Sequence, residues 1–198
     1  AGLALGAWSL PAYAQNLSGA DRATITLTTA KSAFNDQNYE VAAAQFREFL
    51  RQGAGTRADL LAARYGLGVC LIEGPTKDYK AAVESLGQPA NVAKFKDRAF
   101  ALYYLGVGYR GLAEQGEKDA AAQPGQAGAA TAAPIARARR QADQNLTLAA
   151  TNFGLAAESF VARAPKEISA DKEVPADWEW VAKARCDQAD LLLRLGQF

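Results

Sequence analysis

A short pattern recurs along this chain and leaves few folds open to it. Leu105-Gly106-x-x-Tyr109 echoes Leu67-Gly68-x-x-Leu71. Tyr39-x-x-Ala42-x-x-x-Phe46 echoes Tyr79-x-x-Ala82-x-x-x-Leu86, and Ala156-x-x-x-Phe160 is a further fragment of the same kind. Ala30, Gly68 and Gly106 follow one another at intervals of 38 residues. Recurrence every few tens of residues is the mark of stacked helical hairpins, units that cannot bury their apolar faces alone. Such stacks more often bind partners than catalyse reactions.

Composition supports helix and narrows the chemistry. Alanine, the strongest helix former, is the commonest of the 198 residues, and 49% of the chain is apolar. Period-2 runs of β-branched residues are nearly absent; Ala23 to Thr29 is the one strand-like stretch, and it leads into a helical pattern. With 22 basic and 21 acidic residues the net charge is +1, so no global field favours nucleic acid or an anionic membrane. There is no histidine. Catalysis by Ser-His-Asp or Cys-His and histidine-ligated metals are therefore excluded from this chain, and no cofactor or metal is expected. Cys70 and Cys186 stand alone without a CxxC pair, so they read either as two buried thiols, the favoured reading, or as an exported disulfide.

The chain divides into a leader and four helical units. Residues 1–14 run from an apolar stretch, Ala1 to Leu10, through Pro11 to Ala12-Tyr13-Ala14, a small-x-small site followed by polar sequence. They are expected to be the remnant of a signal peptide cleaved after Ala14. With no methionine at position 1, the chain is expected to start downstream of its translational start. The repeats are expected over 15–198, in units at about 21–55, 57–89, 91–165 and 177–198, the last incomplete. Helices are predicted at about 21–35, 38–52, 57–73, 77–87, 91–115, 135–163 and 177–195. Ser18 and Asp21 suit the first helix start, Gly53-Ala-Gly55 the end of the second, and Gly87-Gln-Pro89 the end of the fourth. Residues 116–134 hold Gly, Pro and Ala but no large apolar side chain, and are expected to form a flexible low-complexity insert within the third hairpin.

The repeated residues resemble those of the tetratricopeptide repeat (TPR) family. Leu102, Leu105, Gly106 and Tyr109 match the first-helix positions of the third unit. Tyr39, Ala42 and Phe46 match the turn and second helix of the first, and Gly196 and Phe198 the turn of a fourth. The spacing departs from the family's usual period of about 34 residues, and Arg64 stands where a large apolar residue is usual. The resemblance implies an all-α solenoid of antiparallel helix hairpins. Small residues at Gly68, Gly106, Ala42, Ala82 and Ala156 would let helices approach, with Phe46, Leu105, Tyr109 and Phe160 buried beside them. It also implies that the first helix of each pair lines a groove for a partner's peptide or helix. By register the groove residues would be Lys31, Asn35, Tyr65, Glu73, Tyr103, Arg110, Lys183, Asp190 and Arg194. The family's Lys/Asn/Arg clamp for a C-terminal carboxylate is not matched, because Leu27, Tyr65, Tyr103 and Cys186 hold most of its positions.

Other features carry less. Trp178 and Trp180 could stack a ligand, although aromatic residues at a helix start more often seal one repeat against the last. Arg137, Arg139 and Arg140 read as a solvated helix start before a phosphate site. Asn16 and Asn145 head glycosylation sequons, meaningful only in a eukaryotic secretory pathway. The sequence thus predicts a non-catalytic scaffold that binds a protein or peptide in a bacterial periplasm or cell envelope. The alternatives are the recognition arm of an enzyme with a catalytic domain beyond Phe198, and a self-associating structural module.

Overall fold

The computed structural model describes residues 18–122, 129–166 and 174–197. Among them are seven α-helices and no strand: α1 (Gly19–Asn35), α2 (Tyr39–Gln52), α3 (Arg57–Glu73), α4 (Tyr79–Asn91), α5 (Arg98–Ala122), α6 (Ala129–Val161) and α7 (Ala176–Arg194). The protein is all-α. The strand-like stretch 23–29 lies inside α1, where the hydroxyls of Thr24, Thr26, Thr28 and Thr29 donate to carbonyls four residues back at 2.9–3.0 Å. Back-bonding satisfies the polar group of a β-branched residue without leaving the helix.

Helix starts follow local chemistry closely. Ser18 Oγ accepts from the Asp21 N–H at 3.2 Å while Asp21 Oδ2 accepts from the Ser18 N–H at 3.3 Å, a reciprocal capping box. Thr56 and Asp59 repeat it at α3. Asn38 and Asp78 cap α2 and α4 by accepting from the N–H groups of Val41 and Ala81. Gly53 ends α2 in the left-handed region, at φ 63°, which costs glycine nothing.

Helix ends differ from expectation in the middle of the chain. Gly87 and Pro89 do not stop α4, which continues to Asn91. Pro89 forfeits one backbone hydrogen bond near the helix end, and its ring is fully buried in return. Residues 92–97 then form a turn instead of helix, with the Phe95 N–H donating to the Val92 carbonyl at 2.9 Å. The expected insert at 116–134 is largely helical, since α5 continues to Ala122 and α6 begins at Ala129. Only 123–128 of that stretch fall outside the described residues. Its alanines favour helix, and Ala120 and Ala142 are buried where α5 and α6 run together.

Each helix packs on the next in sequence, and α1 also touches α3 and α3 touches α5. The close contacts are made where a large side chain lies over a glycine. A Cβ on Gly68 would meet Leu86 Cγ at 2.4 Å, and one on Gly106 would meet the Phe153 ring at 2.8 Å. The two expected small positions therefore bring α3 onto α4 and α5 onto α6. Phe46, Leu105 and Phe160 are buried as expected, whereas Tyr109 is only half-buried.

Candidate functional site

The expected groove residues fall into two separate groups. The first lies on α1 and α3. Lys31 and Asn35 are exposed on α1, and Glu73 is exposed at the end of α3. Tyr65, on the same stripe of α3 as Ala62, is half-buried and meets the Phe95 ring edge-on at 6.0 Å. Burial pushes its hydroxyl well above the ordinary tyrosine value, with Tyr104 and Asp97 adding to the rise. Tyr104 of α5 belongs to this group too. Its hydroxyl is pushed up to about 12 by burial first and then by Glu73 and Tyr39. Its neighbour Tyr103, the position the repeat register selects, points elsewhere, since one residue is about 100° of rotation around a helix.

The second group lies where α7 meets α5. Tyr103 is buried, at 4% exposure, and is not a surface group. Its hydroxyl donates to Asp187 Oδ2 at 2.7 Å, and Arg110 Nη1 donates to Asp187 Oδ1 at 2.9 Å. One carboxylate thus holds two of the expected groove residues, and their task is to fasten α7 to α5. The Arg110 guanidinium also lies 5.5 Å from the Phe153 ring centre, and the Lys183 ammonium 5.7 Å from that of Tyr103. Asp190 and Arg194 share a small polar cavity of about 220 Å³ with Arg110, and Arg194 pairs with Glu117. Asp187 had no sequence signal of its own; it is legible only once α7 is laid on α5.

Trp180 completes this seam. Its ring lies 5.1 Å from those of Phe100 and Tyr103 and stacks on Phe160 at 5.7 Å. It therefore seals α7 against the preceding pair. The Trp178 indole N–H donates to the Pro165 carbonyl at 3.2 Å. Cys70 is buried, its thiol pushed up to about 12 chiefly by burial, while Cys186 is exposed. Both are free, so the reading of two buried thiols holds for Cys70 alone. Asn145 is buried at 9% exposure, where a glycan would not fit the packing.

One concavity among the described residues had no signal in the sequence. A cleft of about 820 Å³ opens between the first turns of α3 and the connection from α4 to α5. Leu61, Val92 and Phe95 form its floor, and Arg57, Lys94 and Lys96 stand around it. It adjoins the first group through the contact of Phe95 with Tyr65. No family model matches the chain, and no curated protein or solved structure matches it either. Among the described residues no cluster of three or more Cys, Asp or Glu is placed to hold a metal, and no helix is long and apolar enough to cross a membrane.

Proposed function

We propose that this chain is a non-catalytic, TPR-like solenoid module that binds a peptide or helical segment of a partner protein. The observation that carries the reading is the order of contacts: α1 touches α3 and α3 touches α5, while each also packs on the helix that follows it. Stacked hairpins have this contact order, and in such stacks the alternate helices line the binding face. On those helices Tyr65 meets the cleft residue Phe95, and Tyr104 follows with Glu73 near it, so that an open apolar cleft runs into an aromatic stretch with a polar edge, a combination suited to a peptide. The test is selection of a random-peptide display library on the purified protein, followed by mapping with Lys31→Glu and Glu73→Lys, both exposed positions. Enrichment of a peptide family whose affinity changes in either variant is the expected result. No enrichment would end the peptide-binding reading.

The module is proposed to be exported to a bacterial periplasm or cell envelope. The support is residues 1–14, which lie outside the described residues and carry the apolar stretch and the Ala12-Tyr13-Ala14 site. N-terminal sequencing of the native protein should find Gln15 first. An intact Ala1–Ala14 segment on a soluble cytoplasmic pool would overturn the location.

A further inference from the structure

The geometry points to the cleft between α3 and the 92–97 connection as a seat for an acidic, apolar-anchored peptide: one or two large apolar side chains flanked by aspartate or glutamate. The inference rests on the peptide-binding reading above and assigns that reading its anchoring site and its preferred sequence class.

The floor supplies the anchor. Leu61 and Phe95 are packed tightly, at 5% and 8% exposure, and Val92 is half-buried, so the apolar surface is fixed before any ligand arrives. Phe95 is held by the edge contact with Tyr65 and by the turn hydrogen bond from its own N–H to Val92. A volume of about 820 Å³ lies in the range of ligand pockets, about 300–1,000 Å³. The cleft is open along one side, which admits side chains from a passing backbone and leaves an acyl chain wet, so a peptide fits it better than a lipid.

The rim supplies the charge preference. Arg57, Lys94 and Lys96 are exposed around the floor. Among the described residues, the carboxylate within 4.0 Å of a rim cation is Asp97, 3.8 Å from Lys96. Asp59, in the same first turn of α3, is occupied elsewhere: its Oδ2 accepts from Thr56 Oγ1 at 2.7 Å, and it lines the neighbouring cavity beside Lys31. Among the described residues no carboxylate therefore pairs with Arg57 or Lys94 at the cleft, and Arg57 stands at the positive end of the α3 dipole. Cations around a preformed apolar floor select acidic residues next to the anchor and speed their encounter, while apolar burial supplies most of the affinity.

The test uses the whole chain and a random heptapeptide display library, panned on the wild type, on the R57E/K94E/K96E variant and on Ala58→Trp. Ala58 is exposed at the cleft wall, so tryptophan there can cover the floor without entering the core. Far-UV circular dichroism and the urea midpoint should match wild type in both variants, because all four positions are exposed. The wild type should enrich Leu, Phe or Trp beside Asp or Glu. An enriched peptide, measured by fluorescence anisotropy, should bind the triple variant about tenfold more weakly. It should be lost from Ala58→Trp. Its binding to wild type should weaken as salt rises from about 0.1 M to about 1 M, where the screening length falls to about 3 Å. Enriched peptides without acidic residues, or acidic peptides that bind the variants as well as wild type, would overturn the cleft assignment and leave peptide binding standing. No enriched peptide at all would remove both.

Discussion

Gly68→Ala sets two effects of known size against each other, and the structure decides which wins. Glycine in a helix interior costs about 1 kcal/mol relative to alanine, so propensity alone predicts stabilisation by that amount. The added methyl, however, would lie 2.4 Å from Leu86 Cγ and 2.8 and 3.0 Å from its two terminal carbons. Carbon atoms pack at about 3.5–4.0 Å, so Leu86 would have to move by about 1 Å. Leu86 is fully buried, and the clash falls on its branch point as well as on its mobile ends. Overpacking of this kind costs about 1–3 kcal/mol, and three short contacts on one side chain place the cost at the upper end. The expected net effect is destabilisation by about 1–2 kcal/mol. Leu86→Ala alone should cost about 2–5 kcal/mol through its cavity. In the double variant the new methyl enters that cavity, so the two effects should couple by about 1–3 kcal/mol in the favourable direction. Urea unfolding followed by circular dichroism measures all four corners of the cycle. A stabilised Gly68→Ala protein with an additive double variant would refute the close α3–α4 contact. The same reasoning gives Gly106→Leu a cost of about 1–3 kcal/mol against Phe153.

Three further outcomes are expected. Asp187→Asn removes the carboxylate shared by Tyr103 and Arg110; because both ends of the ion pair are partly exposed, the loss should be about 1–2 kcal/mol, read as a lower Tm at low salt. The same change should lower the Tyr103 phenol pKa, since Asp187 helps to raise it after burial, and an absorbance titration at alkaline pH should detect this; an unchanged titration and Tm would show that the contact does not hold α7. Stability should decline in alkali: Cys70, Tyr65, Tyr103 and Tyr104 all have raised values in the fold, so the unfolded chain loses its protons first, and Tm should fall from pH 9.0, the ordinary thiol value, onward to about 12. A flat Tm across that window would contradict the burial of these groups, and Cys70→Ala should remove the earliest part of the fall.

Much of the architecture is local and was legible without coordinates. Ser18 with Asp21 and Thr56 with Asp59 spell out helix starts through bonds between residues three apart, and α3 runs from Arg57 to Glu73 as the pattern predicts. Gly68 and Gly106 could be assigned to close contacts because only a missing side chain lets two helices meet at such positions. Boundaries set by a balance of terms were misjudged. Pro89 and Gly87 weaken a helix, but burial of the proline ring outweighed them, and alanine propensity extended α5 and α6 into a stretch whose composition suggested disorder. The candidate site was legible only in part. Of the residues that the repeat register put in a groove, Glu73 is exposed and Tyr65 half-buried, but Tyr103 is buried while its neighbour Tyr104 is half-buried, a difference of one step of helical rotation that the pattern could not resolve. Asp187 is 84 residues from Tyr103 and 77 from Arg110, and the cleft joins the first turn of α3 to residues 91–96. A sequence determines which residues bond within a turn or two of helix. Which distant residues share a carboxylate or a cleft depends on how one helix is rotated and set against another, and here that was decided by the tertiary packing.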